Sequence, residues 1–200
     1  MHADPAMLGN SPHERADRDF YPSIDEDMTR VLIDALFDQN YASPQDIVWE
    51  CACGSGEMMR VLEQSFLRVF GTDIVPLIDD ATQLDFLTER TTKKFDVMVT
   101  NPPYGDLLTP FMERGLDYIR RGKCKTVAML ARHAVDTSGK ERTHLFQNCP
   151  EFAAKVTLTW RPRWIAGSTG SPRHNYSWFI WSQRNIVAKQ GGPRLLYAGR

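Results

Sequence analysis

The stretch Ile47-Val48-Trp49-Glu50-Cys51-Ala52-Cys53-Gly54-Ser55-Gly56 constrains the fold more than any other part of this chain. A short apolar run ends in an acid, passes two glycines, and gives way to Met58, Val61, Leu62 and Phe66, spaced for one helical face. That order, strand then tight turn then helix, is the unit from which parallel sheets are built. The spacing predicts the helix over residues 57–67. Gly54 and Gly56 let the backbone turn sharply and approach a ligand, and the helix start offers free N–H groups. A dinucleotide turn would read G-x-G-x-x-G, but Met59 holds the third position, which counts against a tight pyrophosphate turn. Glu50, at the strand end, would repel phosphate and favour a cationic ligand.

The alternation continues. Residues 69–73 read as a second strand ending in Asp73, 23 positions after Glu50, where an acid can accept both hydroxyls of a ribose. Asp85, in Thr82-Gln83-Leu84-Asp85-Phe86-Leu87, can accept from an adenine 6-amino group, with Phe86 or Leu87 lining the ring. The buried-strand pattern of residues 95–100 runs into Asn101-Pro102-Pro103-Tyr104. In that rigid turn the Asn101 side-chain oxygen and the Pro102 carbonyl can each accept one N–H of an exocyclic amine. The pair draws the nitrogen toward pyramidal geometry and localises its lone pair, while Tyr104 can stack on the ring. Read blandly, the same four residues are a strand-ending turn.

Helices are expected at residues 25–39, 107–121 and 141–148, and a further apolar strand at 124–130. Residues 156–160 and 176–181 follow without a helix between them, which suits an antiparallel pair. The reading is an α/β sandwich on a mostly parallel sheet, with an antiparallel strand near the carboxyl end. Its 200 residues suffice for one sizeable core. Residues 1–16, polar and broken by Pro5, Gly9 and Pro12, read as a flexible tail before a domain over 17–200 with no separate target-recognition domain.

The order Gly54-x-Gly56, Asp73, Asp85, Asn101-Pro102-Pro103-Tyr104 resembles that of class I S-adenosylmethionine-dependent methyltransferases acting on amine or amide nitrogens. More narrowly it is similar to compact phage-type and bacterial N6-adenine DNA methyltransferases, over roughly residues 17–184. The resemblance implies a single-domain Rossmann-like fold, S-adenosylmethionine as cofactor, and a cytoplasmic location in a bacterial or phage-infected cell. It implies cofactor binding by Tyr21, Glu50, Gly54, Gly56, Asp73, Asp85 and Phe86, with Asp19-Phe20-Tyr21-Pro22-Ser23 closing over the methionine end. Catalysis falls to Asn101, Pro102, Pro103 and Tyr104. Cys51 stands where many members of the family have proline, which removes some rigidity from the loop. Adenine and glutamine-amide enzymes share the Asn-Pro-Pro-Tyr element.

Charge bears on the substrate. Residues 152–200 hold eight Lys and Arg and no acid, so with an overall charge of -1 the remaining chain carries -9. Such asymmetry is an electrostatic footprint for nucleic acid. Arg161, Arg163, Arg173 and Trp164, with Trp160 nearby, are the candidate substrate-binding residues, the arginines for phosphate and the indoles for a base. The alternative is a solvated basic tail. DNA comes first as the substrate, with RNA adenine and protein glutamine amide as alternatives, a partner protein as one source of target specificity, and a non-catalytic cofactor-binding scaffold as the non-enzymatic reading. A nicotinamide-binding oxidoreductase shares the acid after the second strand, but Met59 and the Asn-Pro-Pro-Tyr turn count against it. Cys51 and Cys53 read as small packing residues, not a metal or redox pair, and no metal site is expected. Four isolated cysteines, no leader pattern and no apolar run near 18 residues point to a reduced, soluble, intracellular protein with no membrane segment.

Overall fold

The computed structural model describes residues 25–137, 139–164, 174–184 and 192–200. The glycine-turn unit forms as its pattern predicts: β1 (Ile47–Glu50) enters the turn and α2 (Glu57–Leu62) leaves it. Before it lies α1 (Glu26–Asp38), and after it β2 (Arg68–Asp73), β3 (Thr82–Gln83), β4 (Val97–Thr100) and α3 (Leu108–Arg120). The chain continues through β5 (Thr126–Arg132), α4 (Thr143–Phe146), β6 (Phe152–Leu158), β7 (Tyr176–Ser182) and β8 (Arg194–Ala198). The strands make one sheet in the order β3-β2-β1-β4-β5-β7-β6-β8. Every pairing is parallel except those of β7, which runs antiparallel to both β5 and β6.

Alternation along the strands splits the core into two layers. Trp49, Met98, Val127, Met129, Phe179 and Trp181 face α3 on one side. Val48, Val97, Val99, Ala128, Leu130 and Trp178 face α1 and α2 on the other. Because both faces are covered, β4 and β7 are buried along their whole length, hence their near-continuous apolar sequences. The three buried indoles each keep a hydrogen bond: Trp49 to Thr72 Oγ1 (3.0 Å), Trp178 to Met28 O (2.8 Å) and Trp181 to Leu145 O (2.8 Å). At the amino-terminal edge Lys125 bridges Asp96 (2.7 Å) and Asp46 (3.3 Å), and Asp96 accepts the Ile47 N–H (3.0 Å). The opposite edge is left to the site.

Several boundaries differ from the sequence reading. The helix expected over 57–67 ends at Leu62; the following turns still bury Phe66 (4% exposed) and leave Leu67 in solvent (82%). The strand expected at 124–130 lies two residues further on, because it is the Lys125 N–H that bonds the Asp96 carbonyl (2.8 Å) and starts the pairing with β4. β6 begins at Phe152, since β7 pairs with it from there, and Trp160 has left the sheet. Over 141–148 only Thr143–Phe146 is α-helical, and α3 is preceded by the 3-10 turn Gly105–Leu107. β8 has no counterpart among the expected elements: its apolar run Leu195-Leu196-Tyr197-Ala198 is short, lies at the chain end, and is a strand through its pairing with β6. The expected tail, residues 1–16, lies outside the described residues.

Candidate active site

Parallel strands bring their carboxyl ends to one crest. In register, Glu50 pairs with Gly71 and Trp49 with Met98, so Asp73, the turn at Ala52 and Asn101 stand at one level across β2, β1 and β4. The three strands span about 10 Å at the usual inter-strand spacing, close enough for one small ligand to touch all three. An antiparallel strand starts where its parallel neighbours end, so Tyr176, opposite Arg132, joins the same crest. Sequence reasoning assigned Tyr176 no role; the antiparallel reading of its strand already carried the signal.

The glycine turn is held from beside. Gly54 and Gly56 have φ of 51° and 76°, the left-handed region glycine reaches without strain. The Gly54 N–H donates to Asp73 Oδ2 and the Val75 N–H to Asp73 Oδ1, both at 2.9 Å. Each of those oxygens keeps a second lone pair for a ligand hydroxyl. Gly71 lies beneath: a β-carbon there would sit 2.3 Å from Met59 Sδ and 2.9 Å from Cys53 Sγ. Close packing of the turn against β2 therefore requires glycine at a position the sequence reading passed over.

Glu50 is 2% exposed, and its Oε2 has no hydrogen-bond partner among the described residues. Burial pushes its carboxyl well above the usual carboxylate range, and the nearby Asp73 and Glu57 charges add to this; the Met59 backbone offsets part of it. A buried acid with an orphaned oxygen suits a cationic group brought by a ligand. Asp85 Oδ1 accepts the Leu87 N–H (2.9 Å), and its side chain is partly exposed.

Phe86 sits deeper than the acid before it. It is 2% exposed and its ring packs on Trp49, Phe111 and Tyr118, which makes the side chain part of the core. The apolar side chains open to solvent follow Asp73: Ile74 (50%), Val75 (47%) and Leu77 (56%). Apolar residues directly after a strand-end acid were the legible signal for them.

On β4 the half-buried Asn101 and Tyr104 face each other, and the phenol donates to Asn101 Oδ1 at 2.6 Å. Tyr104 lies 6.0 Å from Tyr176, and Tyr176 lies 5.0 Å edge-on from Trp164, giving a row of three rings. Pro102 is buried and Pro103 half-buried between them in sequence. Arg161 and Arg163 are exposed and line a groove of about 750 Å³ next to this row. Tyr21 and Arg173 lie outside the described residues.

Cys51, Cys53, Cys124 and Cys149 are buried and unpaired, as small packing residues would be. Burial pushes the Cys53 and Cys124 thiols up to about 12 and that of Cys149 to about 11, keeping them neutral. Among the described residues there is no group of three or more His, Cys, Asp or Glu able to hold a metal, and no helix long and apolar enough to cross a membrane.

No protein-family model matches the sequence, and no curated protein does. Solved structures do resemble it. The Pyrococcus horikoshii protein PH1948 aligns with a TM-score of 0.62 at 12% identity, over 89% of this chain and 95% of its own. The M protein of the type I restriction enzyme EcoKI gives 0.58 at 12% identity, over 82% of this chain and 43% of that one. The 23S rRNA methyltransferase ErmE gives 0.53 at 18% identity, over 76% and 67%. What the chain shares with them is the Rossmann-like methyltransferase fold, as its strand order and the reversed β7 had indicated. It spans less than half of the EcoKI subunit.

Proposed function

We propose that this chain is an S-adenosylmethionine-dependent methyltransferase acting on the exocyclic N6 amine of adenine in nucleic acid, with DNA as the first substrate. The observation that carries the reading is the Asn101–Tyr104 turn at the carboxyl end of β4, with an amide oxygen and a phenol ring side by side. The donor and acceptor set around the glycine turn fits the cofactor. Glu50, buried with an orphaned oxygen, would hold the ammonium of its methionine end; Asp73 would accept the ribose hydroxyls; Asp85 would accept from the adenine amine, against Ile74 or Val75. When bound, S-adenosylmethionine supplies a methyl group on a sulfonium centre, electrophilic toward an amine lone pair.

This chain's own groups prepare that lone pair. Asn101 Oδ1 and the Pro102 carbonyl hold the two amine hydrogens, and the Tyr104 ring covers the base. A paired target must first leave its stack, at about a few kcal/mol. Positioning and desolvation of the amine supply most of the acceleration. Nucleic acid as the substrate class accords with the exposed Arg161 and Arg163 beside the aromatic row, and with what ErmE and the EcoKI subunit are.

The test is transfer of isotopically labelled methyl from the cofactor to DNA, RNA and protein, with the product identified by mass spectrometry. N6-methyladenine in DNA is the expected result; label in RNA moves the substrate, and label on a glutamine amide overturns the nucleic-acid reading. Cofactor binding without any transfer would leave a scaffold. Asn101→Ala should slow transfer by about 10²–10³, the cost of losing one preorganised hydrogen-bonding group, whereas Asn101→Asp keeps an acceptor and measurable turnover. Equal rates for Asn101→Ala and wild type would reduce the turn to a structural one.

A further inference from the structure

We infer that the groove beside the aromatic row binds the part of a single, unpaired nucleic-acid strand that flanks the target base, with Tyr197 as its stacking platform. This rests on the nucleic-acid reading above and adds strandedness and new binding residues to it. The groove, about 750 Å³, falls in the size range of small-ligand sites, about 300–1,000 Å³. Its walls are the end of β6, the segment carrying Trp160, Arg161 and Arg163, and the end of β8 with Tyr197 and Arg200. Among the described residues that line it, none is an acid.

Three guanidinium groups line the groove, Arg161, Arg163 and Arg200. Arg200 is held by Asp25 (2.6 Å) and Asp27 (3.4 Å) and lies over the Trp160 ring at 5.4 Å. The same Asp25 accepts the Trp160 indole N–H (3.1 Å), so these residues fix one wall and contribute little net charge. Arg161 donates to the Asn175 amide oxygen (2.9 Å), a bond that orients the guanidinium. Arg163 stands two residues further on, also exposed.

Tyr197 completes the arrangement. Its ring is 69% exposed on an edge strand, where it adds little to the core. An exposed aromatic face beside two guanidinium groups suits stacked bases with their phosphates on the arginines. Only unpaired bases offer a free face to such a ring. Behind the groove the buried Tyr176 packs between Trp164 and Tyr104, so the wall that carries Arg163 is tied to the Asn101–Tyr104 turn.

The experiment is fluorescence anisotropy on the full chain with a short labelled single-stranded oligodeoxynucleotide, its duplex, the matching RNA strand and an acidic peptide. The single strands should bind more tightly than the duplex. Tyr197→Ala should weaken single-strand binding by about 5- to 150-fold, the worth of one stacked base, while Tyr197→Phe binds as wild type and cofactor affinity is unchanged in both. A melting curve checks that the variant is folded. If Tyr197→Ala binds single strands as wild type does, or the duplex binds more tightly, the inference falls even where labelled methyl still reaches nucleic acid. Binding of the acidic peptide alone, with label on protein, would remove the parent reading as well.

Discussion

The Glu50 carboxyl pays for its position in stability: its raised pKa means that the folded chain keeps a proton which the unfolded chain releases near the ordinary glutamate value of about 4.3. Stability must then fall as pH rises from that value to the folded pKa, and stay level above it. Glu50→Gln removes the effect. The variant should melt higher than wild type at neutral pH, show a flatter melting temperature across roughly pH 4–8, and bind the cofactor more weakly. A lower melting temperature at neutral pH would mean that Glu50 is stabilised as an anion in the folded chain. Asp73, by contrast, has a structural role whatever it binds, since Gly54 and Val75 already use one lone pair on each oxygen. Tyr104 and Asn101 are coupled in the same way by the phenol's hydrogen bond to the amide oxygen.

Between elements, the decisive packing is that which seats the glycine turn on β2. Gly71 has no room for a side chain under Met59 and Cys53. Gly71→Ala must displace both, and overpacking of this kind costs about 1–3 kcal/mol. Chemical denaturation should show that loss, and because the displaced Met59 and Cys53 flank the turn, cofactor affinity should fall with it. An unchanged midpoint would show that Met59 swings aside without penalty. β7 makes the other contribution at this scale. By entering between β5 and β6 in the reverse sense, it delivers Tyr176 to the crest where Asn101 and Asp73 stand.

Net charge divides along the chain, although Lys155, Arg184 and Arg200 of the basic segment pair with Asp136, Asp46 and Asp25. Glu50 and Asp73 stand at the glycine turn with Asp85 after β3, whereas β7, β6 and β8 of the basic carboxyl segment lie beyond β5 in the sheet. Under the proposed function, a cationic cofactor and a polyanionic substrate would be drawn to different parts of the molecule. Neutralising Arg161 and Arg163 together, as Arg161→Gln with Arg163→Gln, should lower the log–log salt slope of single-strand binding by about 0.7 for each phosphate that the guanidinium groups no longer neutralise. Cofactor affinity, measured by calorimetry, should stay constant. An unaltered slope would mean that neither guanidinium meets a phosphate.

The sequence by itself determined the local units and their order: β1, the glycine turn and α2 from apolar periodicity and two glycines, β4 from a run buried on both faces, and the antiparallel entry of β7 from the missing helix before it. It also placed Glu50, Asp73 and Asn101 at strand ends, which is enough to put them on one crest once the sheet is parallel. Tertiary structure alone decided which side chains the core consumed. Phe86 follows an acid as a ligand-lining residue would, but its ring turns inward to Trp49 and Tyr118, because a large apolar ring gains more from burial than from a half-open pocket. β8 offered only a four-residue apolar run, and what makes it a strand is its pairing with β6, extended by the Thr159 bonds to the Ala198 carbonyl. The groove at Tyr197 brings together residues 133, 160 and 197, and such separations close only when the sheet does.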